Sequence, residues 1–376
     1  MINRCDLTIE FDEPSRRYKT GEEVTGFVTV DVNKDCRCSG LQVDCQWRTH
    51  GRGNQSTGST ATDNIFEGEW TAGGVHRYPF SFVIPNGPCS YHGHVLNVDW
   101  YIIARANIPW SFDPWEEADF LVEPGWNTAY EPYLTGDPTC SSNASLEHRV
   151  QVAQSGQLGT VIFGFIFLLV GVIAGLDIAF DDDSSVGGLI MALIFGSVGA
   201  ASIFFGLRNR LATIKLGEIK VQIPQKRLRA GGIVEVLINI PPASRAHLNK
   251  ITARLVATEV VISGVGTNKT THTHTVYDDP PHTFEGSVDR ELLEGESAHF
   301  SHRYRLPYDV PPSFHADEND LNWSIAFHVD IARWPDWMQY RPLEVLPADP
   351  RAREEEQAID EDDWSEAPPL TEDAVW

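Results

Sequence analysis

The sequence predicts an all-β fold of two tandem, immunoglobulin-like β-sandwiches separated by a two-helix transmembrane hairpin. Three observations predict it. Apolar residues alternate with a period of two on both sides of a central segment, that segment holds two uncharged apolar stretches, and features of the first half recur in order in the second. Turn residues separate the alternating runs and no helical period competes with them, which favours antiparallel sandwiches.

The alternating runs are those expected of strands with one face in a core and one in water. They cover residues 7–11, 28–32, 41–47 and 80–84 in the first half, and 219–223, 234–238 and 325–331 in the second.

The two halves share landmarks at offsets that drift from about 210 to 223 residues. Phe66-Glu67-Gly68 recurs as Phe284-Glu285-Gly286, and the pair Trp100 and Trp110 recurs as Trp323 and Trp334. We interpret the recurring Trp110 and Trp334 as fold residues that plug the open end of each sandwich; an exposed aromatic anchor is the alternative. Trp115 and Trp126 have no counterpart in register, so they are the better candidates for contact with a partner or a membrane.

The central segment predicts two membrane spans, at residues 158–176 and 186–207. The first holds 19 uncharged residues and the second 22, and 19 residues of helix are about 28 Å long, close to the thickness of a bilayer core. Both stretches are apolar on every face, whereas a pair of helices buried in a soluble core, the alternative, would be expected to be amphipathic. Small residues at helical spacing predict close packing within the hairpin, with a homo-oligomer as a further option: Gly171, Gly175, Gly196 and Ala200.

The charges that flank the spans predict their orientation. The loop at 177–185 carries four aspartates and no base, while Arg149 precedes the hairpin and Arg208, Arg210 and Lys215 follow it. The positive-inside rule then places both sandwiches and both termini in the cytoplasm, as a multi-pass protein of the plasma (bacterial inner) membrane. The N-terminus lacks the apolar stretch of a signal peptide, which agrees with this orientation. Arg208, Arg210 and Lys215 could also contact anionic lipid headgroups, although a role in topology alone explains them equally well.

The formal net charge of −24 argues against binding to nucleic acid. Residues 351–376 carry ten acidic residues and two arginines, which predicts a solvated, disordered tail over 348–376. Trp364 and Trp376 lie among these acids and are either part of a short partner-binding motif or of an inert tail.

No sequence pattern predicts catalysis, a cofactor or a metal. The six cysteines lack the spacing of a disulfide framework, and no second cysteine pair is present to complete a metal or redox motif with Cys36-Arg-Cys38. His92-Gly-His94 and His272-Thr-His274 could each begin a zinc or copper site, but neither has an evident further ligand, so we expect no metal. A nucleophile elbow, a glycine-rich phosphate loop and an HExxH sequence are all missing, which favours a protein that is not an enzyme.

Several stretches of the first half resemble arrestin-like proteins. They are Tyr18-Lys-Thr-Gly21-Glu22, Phe80-Ser-Phe82-x-Ile84-Pro85, Ser90-Tyr91-x-Gly93 and Trp100-Tyr101-x-x-Ala104. The continuation Ile108-Pro109-Trp110-x-x-Asp113 is similar to the bacterial sporulation-control branch, and the retromer's arrestin-like subunit shares the same fold. The resemblance covers residues 1–123 and, more weakly through the internal repeat, 216–347.

The resemblance implies two sandwiches joined end to end that act without catalysis as a scaffold or adaptor. The chain departs from the family by its inserted linker and spans, and Ala367-Pro-Pro-Leu370 lacks the tyrosine of a PPxY motif. The phosphate-sensing residues of arrestins have no assignable counterparts, so phosphoreceptor binding is not carried over.

The predicted organisation is a sandwich (1–123), a linker (124–157), the hairpin (158–207), a second sandwich (208–347) and the acidic tail. The function hypothesis is a membrane-anchored scaffold that recruits unidentified proteins at the cytoplasmic face. The alternative is an accessory or regulatory subunit of a membrane transport or stress complex, contacting it through the hairpin.

Overall fold

A computed structural model describes residues 4–125, 159–176 and 186–349. Five of the seven predicted alternating runs lie wholly on strands, because successive side chains point to opposite faces of a strand and only one face of each sheet reaches a core. The other two, 80–84 and 219–223, extend one residue beyond the ends of their strands. The predicted fold class is confirmed: two groups of β-sheets lie on either side of two helices.

The first sandwich contains nine strands. They are β1 (Cys5–Phe11), β2 (Arg17–Lys19), β3 (Glu23–Val32), β4 (Cys36–Gly51), β5 (Thr57–Trp70), β6 (Val75–Val83), β7 (Tyr91–His92), β8 (Leu96–Asn107) and β9 (Trp115–Glu123). One sheet has the order β1-β3-β6, and the other has the order β2-β9-β8-β4-β5 with β7 beside β8. The pairing of β2 with β9 is parallel, and the remaining pairs are antiparallel.

Two apolar helices follow, α1 (Gly159–Leu176) and α2 (Val186–Leu216). Both are long and apolar enough to cross a membrane, with mean hydropathies of 2.5 and 2.1 over their apolar windows. Only 11% and 6% of the residues in those windows are buried, so the alternative of a helix pair inside a soluble core does not hold. The helix α2 continues nine residues beyond the predicted end of the second span at Leu207, because Ala212 and Leu216 are fully buried against the second sandwich.

The second sandwich has eleven strands. They are β10 (Lys220–Gln222), β11 (Arg227–Arg229), β12 (Ile233–Ile240), β13 (Ala246–Ser263), β14 (Thr270–Asp278), β15 (His282–Thr283), β16 (Arg290–Leu292), β17 (Ala298–Arg305), β18 (Phe314–Ala316), β19 (Asn319–Ile331) and β20 (Trp337–Leu346). Its sheets have the orders β10-β12-β17 and β11-β20-β19-β13-β14, and β11 again pairs in parallel with β20.

Each sandwich has its own apolar core, and the two cores contain a matching tryptophan. Trp100 and Trp323 are almost fully buried, and their indole Nε1 atoms donate 3.0 Å hydrogen bonds to the carbonyls of Pro88 and Pro311. Such pairing is required because a buried indole N–H without an acceptor is costly. The two recurring tryptophans therefore occupy equivalent positions, 223 residues apart.

The two sandwiches also share apolar packing. Val261, Phe314, Ala316 and Leu321 of the second sandwich pack into the core cluster of the first. Trp47 meets Phe314 edge-to-face with ring centroids 6.0 Å apart. The sandwiches therefore join through a packed, partly apolar interface.

Candidate functional site

Three regions have a structure that bears on function: the joint between α2 and the second sandwich, the contact between the sandwiches, and the outer sheet face of the first sandwich.

At the first region, the last two turns of α2 are held by hydrogen bonds to the second sandwich. Asn209 donates from Nδ2 to the carbonyl of Met338 at 2.8 Å and accepts the Met338 amide at 3.1 Å through Oδ1. Trp334 donates its indole N–H to the carbonyl of Leu211 at 2.8 Å. With Ala212 and Leu216 buried, the helix and the sandwich are joined through side chains, backbone and core packing together.

The three basic residues predicted after the second span lie on this joint. Arg210 is exposed, Arg208 and Lys215 are half-buried, and the Lys215 ammonium lies 5.8 Å from the centroid of the Trp334 ring, at the limit of a cation–π contact. All three residues lie on the part of α2 that follows the apolar stretch, and this part lengthens the helix by about 13 Å. The geometry allows contact with a headgroup layer at this level.

The glycines of the hairpin differ in their surroundings. A Cβ on Gly171 would lie 2.5 Å from the Gly196 amide nitrogen of the facing helix, so Gly171 allows the backbones to touch, whereas a Cβ on Gly196 would meet nothing within 4 Å. Gly164 and Gly199 make similarly close approaches and were not selected from the sequence. Gly175 has nothing within 4 Å of its added Cβ. Ala200 is exposed, because Gly199 takes the packing position one residue earlier.

At the second region, a buried carboxylate joins the two sandwiches. Glu259 of β13 is fully buried and accepts hydrogen bonds from the Tyr91 hydroxyl (2.6 Å), the Val95 amide (2.7 Å) and the His94 amide (3.1 Å) of the first sandwich. These donors satisfy the carboxyl oxygens of Glu259 where water cannot reach them. Burial, followed by the hydrogen bond to Glu259, raises the pKa of Tyr91 far above its ordinary value, so the phenol remains protonated. We call this arrangement the Glu259 clasp.

A second polar set lies beside the clasp. Asn54 and Gly264 exchange hydrogen bonds, from Nδ2 to the carbonyl at 2.9 Å and from the amide to Oδ1 at 3.1 Å. Glu318 accepts from both Asn54 and Lys269. The Lys269 hydrogen bond, followed by that of Asn54, holds the pKa of Glu318 below its ordinary value of 4.5.

One histidine of each HxH pair meets its counterpart at this interface. The rings of His94 and His274 stack with centroids 4.0 Å apart and an interplanar angle of 25°. His92 pairs with Asp99 at 2.6 Å and His272 with Ser263 at 3.0 Å. Within residues 4–125, 159–176 and 186–349, no group of three histidine, cysteine or acidic side chains could hold a metal ion.

Four of the five cysteines that the structure describes have buried thiols, and Cys36 is partly exposed. Cys5, Cys38, Cys45 and Cys89 are buried, and burial raises the pKa of Cys45 to about 11 and that of Cys89 to about 12. Such thiols stay protonated at neutral pH and are poor nucleophiles.

At the third region, the outer face of the larger sheet of the first sandwich contains a shallow cavity of about 310 Å³. Its lining residues are Gln42, Asp44, Gln46, Arg48, Ile103, Arg105, Trp115 and Glu117. Arg48 pairs with Glu117 at 2.9 Å, and Trp115 lies opposite Arg105 on the neighbouring strand with 56% of its surface exposed. An exposed tryptophan beside a guanidinium is a combination typical of protein-binding surfaces.

The prediction that Trp110 plugs the first sandwich is wrong. Trp110 is fully exposed, at 103%, and has the left-handed φ of +61°. The residue at the equivalent backbone position of the second sandwich is Arg333, with a φ of +60°. The two loops match because each is closed by an aspartate: Asp113 accepts the amide of Ile108, and Asp336 accepts the amide of Ile331. Trp334, one position later, is 39% exposed and contacts α2. Trp126, Trp364 and Trp376 lie outside the described residues.

Comparison with known proteins adds a partial likeness in fold. No family model and no curated protein matches the sequence. The crystal structure of Spo0M, a sporulation control protein from Bacillus subtilis, is similar to part of the chain at 17% identity and a TM-score of 0.29, covering 33% of this chain. The chain spans about half of that structure, 51% of its length.

Proposed function

We propose that this chain is a non-catalytic, membrane-anchored scaffold that presents a body of two sandwiches to protein partners at the cytoplasmic face. The observation that carries the proposal is the continuity of α2, which runs from an apolar stretch suited to a bilayer into the core of the second sandwich without a break. A flexible tether would allow the body to drift from the membrane, whereas a docked helix fixes its distance and direction.

The Glu259 clasp supports the same function, because it couples the first sandwich to the anchored second one. Leaving the donors of a buried carboxylate without a partner costs about 1–3 kcal/mol per group. The clasp therefore favours one arrangement of the two sandwiches, and a fixed arrangement suits a protein that positions its partners.

The orientation follows from the charges around the spans. Arg208, Arg210 and Lys215 follow the apolar part of α2, and the loop between the helices is acidic in sequence. Under the positive-inside rule, these charges support a cytoplasmic location for both sandwiches. Labelling of single cysteines introduced at Val83 and in the 177–185 loop tests this: only the loop should react with an impermeant reagent added to intact cells.

The sheet face with the cavity beside Trp115 is the surface that we assign to a protein partner. Its test is affinity purification of the full chain after gentle extraction of membranes, comparing wild type with Trp115→Ala and Arg105→Ala. Tyr340→Ala, which removes a 51% exposed aromatic from the second sandwich, is the matched control. Loss of a reproducible partner from the first two variants alone supports this surface, and a wild-type chain that recovers no partner contradicts the scaffold.

A second candidate function is that of an accessory subunit in a membrane complex, contacted through the hairpin. It is favoured by one observation: Gly175 carries open space on its helix, so another helix could approach there. Membership in such a complex would depend on the sequence of the spans, whereas a scaffold needs only their length.

A further inference from the structure

The tip between β8 and β9 exposes a group of aromatic side chains. Trp110 is 103% exposed, Phe112 75% and Trp115 56%, and none of them makes a ring contact among the residues that the structure describes. Exposed aromatic groups of this kind usually mark a binding surface rather than a packing accident.

The backbone of this tip is fixed before anything binds to it. The Ser111 amide donates to the carbonyl of Ile108 at 3.1 Å, and the Ile108 amide donates to Oδ1 of Asp113 at 3.1 Å. With φ at +61°, Trp110 occupies the left-handed region that a tryptophan rarely adopts. The exposure of its ring is therefore imposed by a closed turn.

The equivalent tip of the second sandwich indicates which environment such a tip meets. There the Ile331 amide donates to Asp336 Oδ1 at 3.3 Å, and the tip contacts α2 through Trp334 and Leu211. Leu211 lies four residues after Leu207, the end of the uncharged stretch, or about 6 Å along the helix axis. In a membrane-embedded chain this second tip therefore lies at the level of the lipid headgroups.

The sandwiches meet through equivalent ends, which relates the two tips. Asn54 follows β4, and its side-chain amide bonds the backbone of Gly264, which follows the equivalent strand β13. The strands β8 and β19 each begin beside this contact, at Leu96 and Asn319, and end at the two tips, so the tips lie at opposite ends of the body. A body that lies along the membrane therefore brings both tips to the level of the headgroups.

We propose that the β8–β9 tip inserts Trp110 and Phe112 into the headgroup–acyl boundary of the same bilayer, so that the body lies along the membrane with a contact at each end. This inference rests on the membrane anchoring proposed above. The stretch Pro109-Trp110-Ser111-Phe112 is uncharged, and tryptophan is enriched at this boundary because its ring is apolar and its N–H can stay hydrated. Asp113 is already engaged with the Ile108 amide, so its charge is turned into the loop.

Photo-crosslinking of the full chain in lipid nanodiscs tests the proposal. A benzophenone amino acid replaces Phe112 in one variant and Val83 in the matched control. Val83 is an apolar residue that is 67% exposed at the opposite end of its sandwich, where β3 begins and where Ile84 bonds Gly21. Mass spectrometry then identifies the adducts as phospholipid or protein. A second measurement compares quenching of tryptophan fluorescence by brominated lipid in wild type and Trp110→Ala.

We expect phospholipid adducts at position 112 at least fivefold above those at position 83, and reduced quenching in Trp110→Ala. Adducts to a second copy of the chain, or lipid adducts no more frequent than at position 83, would overturn the proposal. A chain that fails to remain in the nanodisc at all would instead refute the membrane anchoring, which co-migration with the disc reports separately.

Discussion

The carboxylate of Glu259 in the second sandwich accepts a 2.6 Å hydrogen bond from the Tyr91 hydroxyl of the first, across 168 residues of sequence. Between these two residues lie the linker, both helices and three strands of the second sandwich. The bond therefore closes the chain on itself, because it holds the first sandwich, which precedes the helices, to the second sandwich, into which α2 docks.

Replacing Glu259 should separate the two sandwiches while each keeps its own core. Glu259→Ala removes the acceptor for Tyr91, His94 and Val95, and we expect a loss of about 3 kcal/mol in unfolding free energy. Tyr91→Phe removes one hydrogen bond and should cost about 1 kcal/mol. Chemical denaturation of the purified chain measures both. Glu296→Ala, at an exposed position of the second sandwich, is the control and should be neutral.

An unchanged midpoint for Glu259→Ala would mean that the clasp contributes nothing. Gly93→Ala offers an independent check, since a Cβ at this position would collide with the Glu259 carboxylate and the Tyr91 hydroxyl. It should destabilise the interface without altering any of the hydrogen-bonding groups.

Loss of the Asn209 side chain should loosen α2 from the second sandwich. In Asn209→Ala both the amide and the carbonyl of Met338 lose their partner, at a cost of about 1–3 kcal/mol. We expect faster tryptic cleavage at Lys215 and faster hydrogen exchange of the Met338 amide. Ile214→Ala, at a position of the same helix where the side chain is 68% exposed, should behave as wild type. Equal cleavage of both variants would show that the joint is held by core packing alone.

The two glycines of the first helix should tolerate substitution differently. Gly171→Val would force a side chain onto the Gly196 backbone and should lower the thermal stability of the chain in detergent by several degrees. Gly175→Val enters open space and should leave that stability unchanged. If Gly175→Val spares stability but abolishes association with a membrane partner, the accessory-subunit function is favoured over the scaffold.

The contact around Glu318 should weaken in acid. Its folded-state pKa lies below the ordinary 4.5, so its stabilising contribution is present above pH 4.5 and is lost as the pH falls through the folded-state pKa. The pKa of Lys269 is raised by Glu318, so that contribution persists up to pH 10.5 and is lost only above it. The difference in melting temperature between wild type and Glu318→Gln should be constant from pH 5 to 9 and shrink below pH 4.5. A difference that grows in acid would contradict this assignment.

The strands and the core tryptophans could be predicted because periodicity and composition are local properties. Trp100 and Trp323 recur in sequence and form the same hydrogen bond in both sandwiches. The recurrence of tryptophan led to a wrong prediction at Trp110. The sequence pairs Trp110 with Trp334, but the backbone position equivalent to Trp110 is that of Arg333, one residue earlier. Whether a loop side chain is buried depends on the element that packs against the loop, and the internal sequence repeat does not specify that element.

The amino-acid sequence contains only weak signals for the Glu259 clasp and for the joint between α2 and the second sandwich. A lone carboxylate within the apolar run Leu255–Ile262 hints at a buried partner, but the partner lies on another domain. Arg208 and Arg210 mark the end of the apolar span, and nothing in them indicates that the helix continues to Leu216. That extension depends on the space that the second sandwich offers Ala212 and Leu216.

The central claim is that the spans serve to anchor a two-sandwich body that carries the partner-binding surfaces. Replacing residues 158–207 with an unrelated hairpin of equal length, and identifying the proteins that co-purify from membranes, tests it most directly. We expect the modified chain to retain the partners of wild type and to lose them when Trp115→Ala is added. Loss of those partners on replacement of the hairpin alone, in a chain that still reaches the membrane, would contradict the scaffold function.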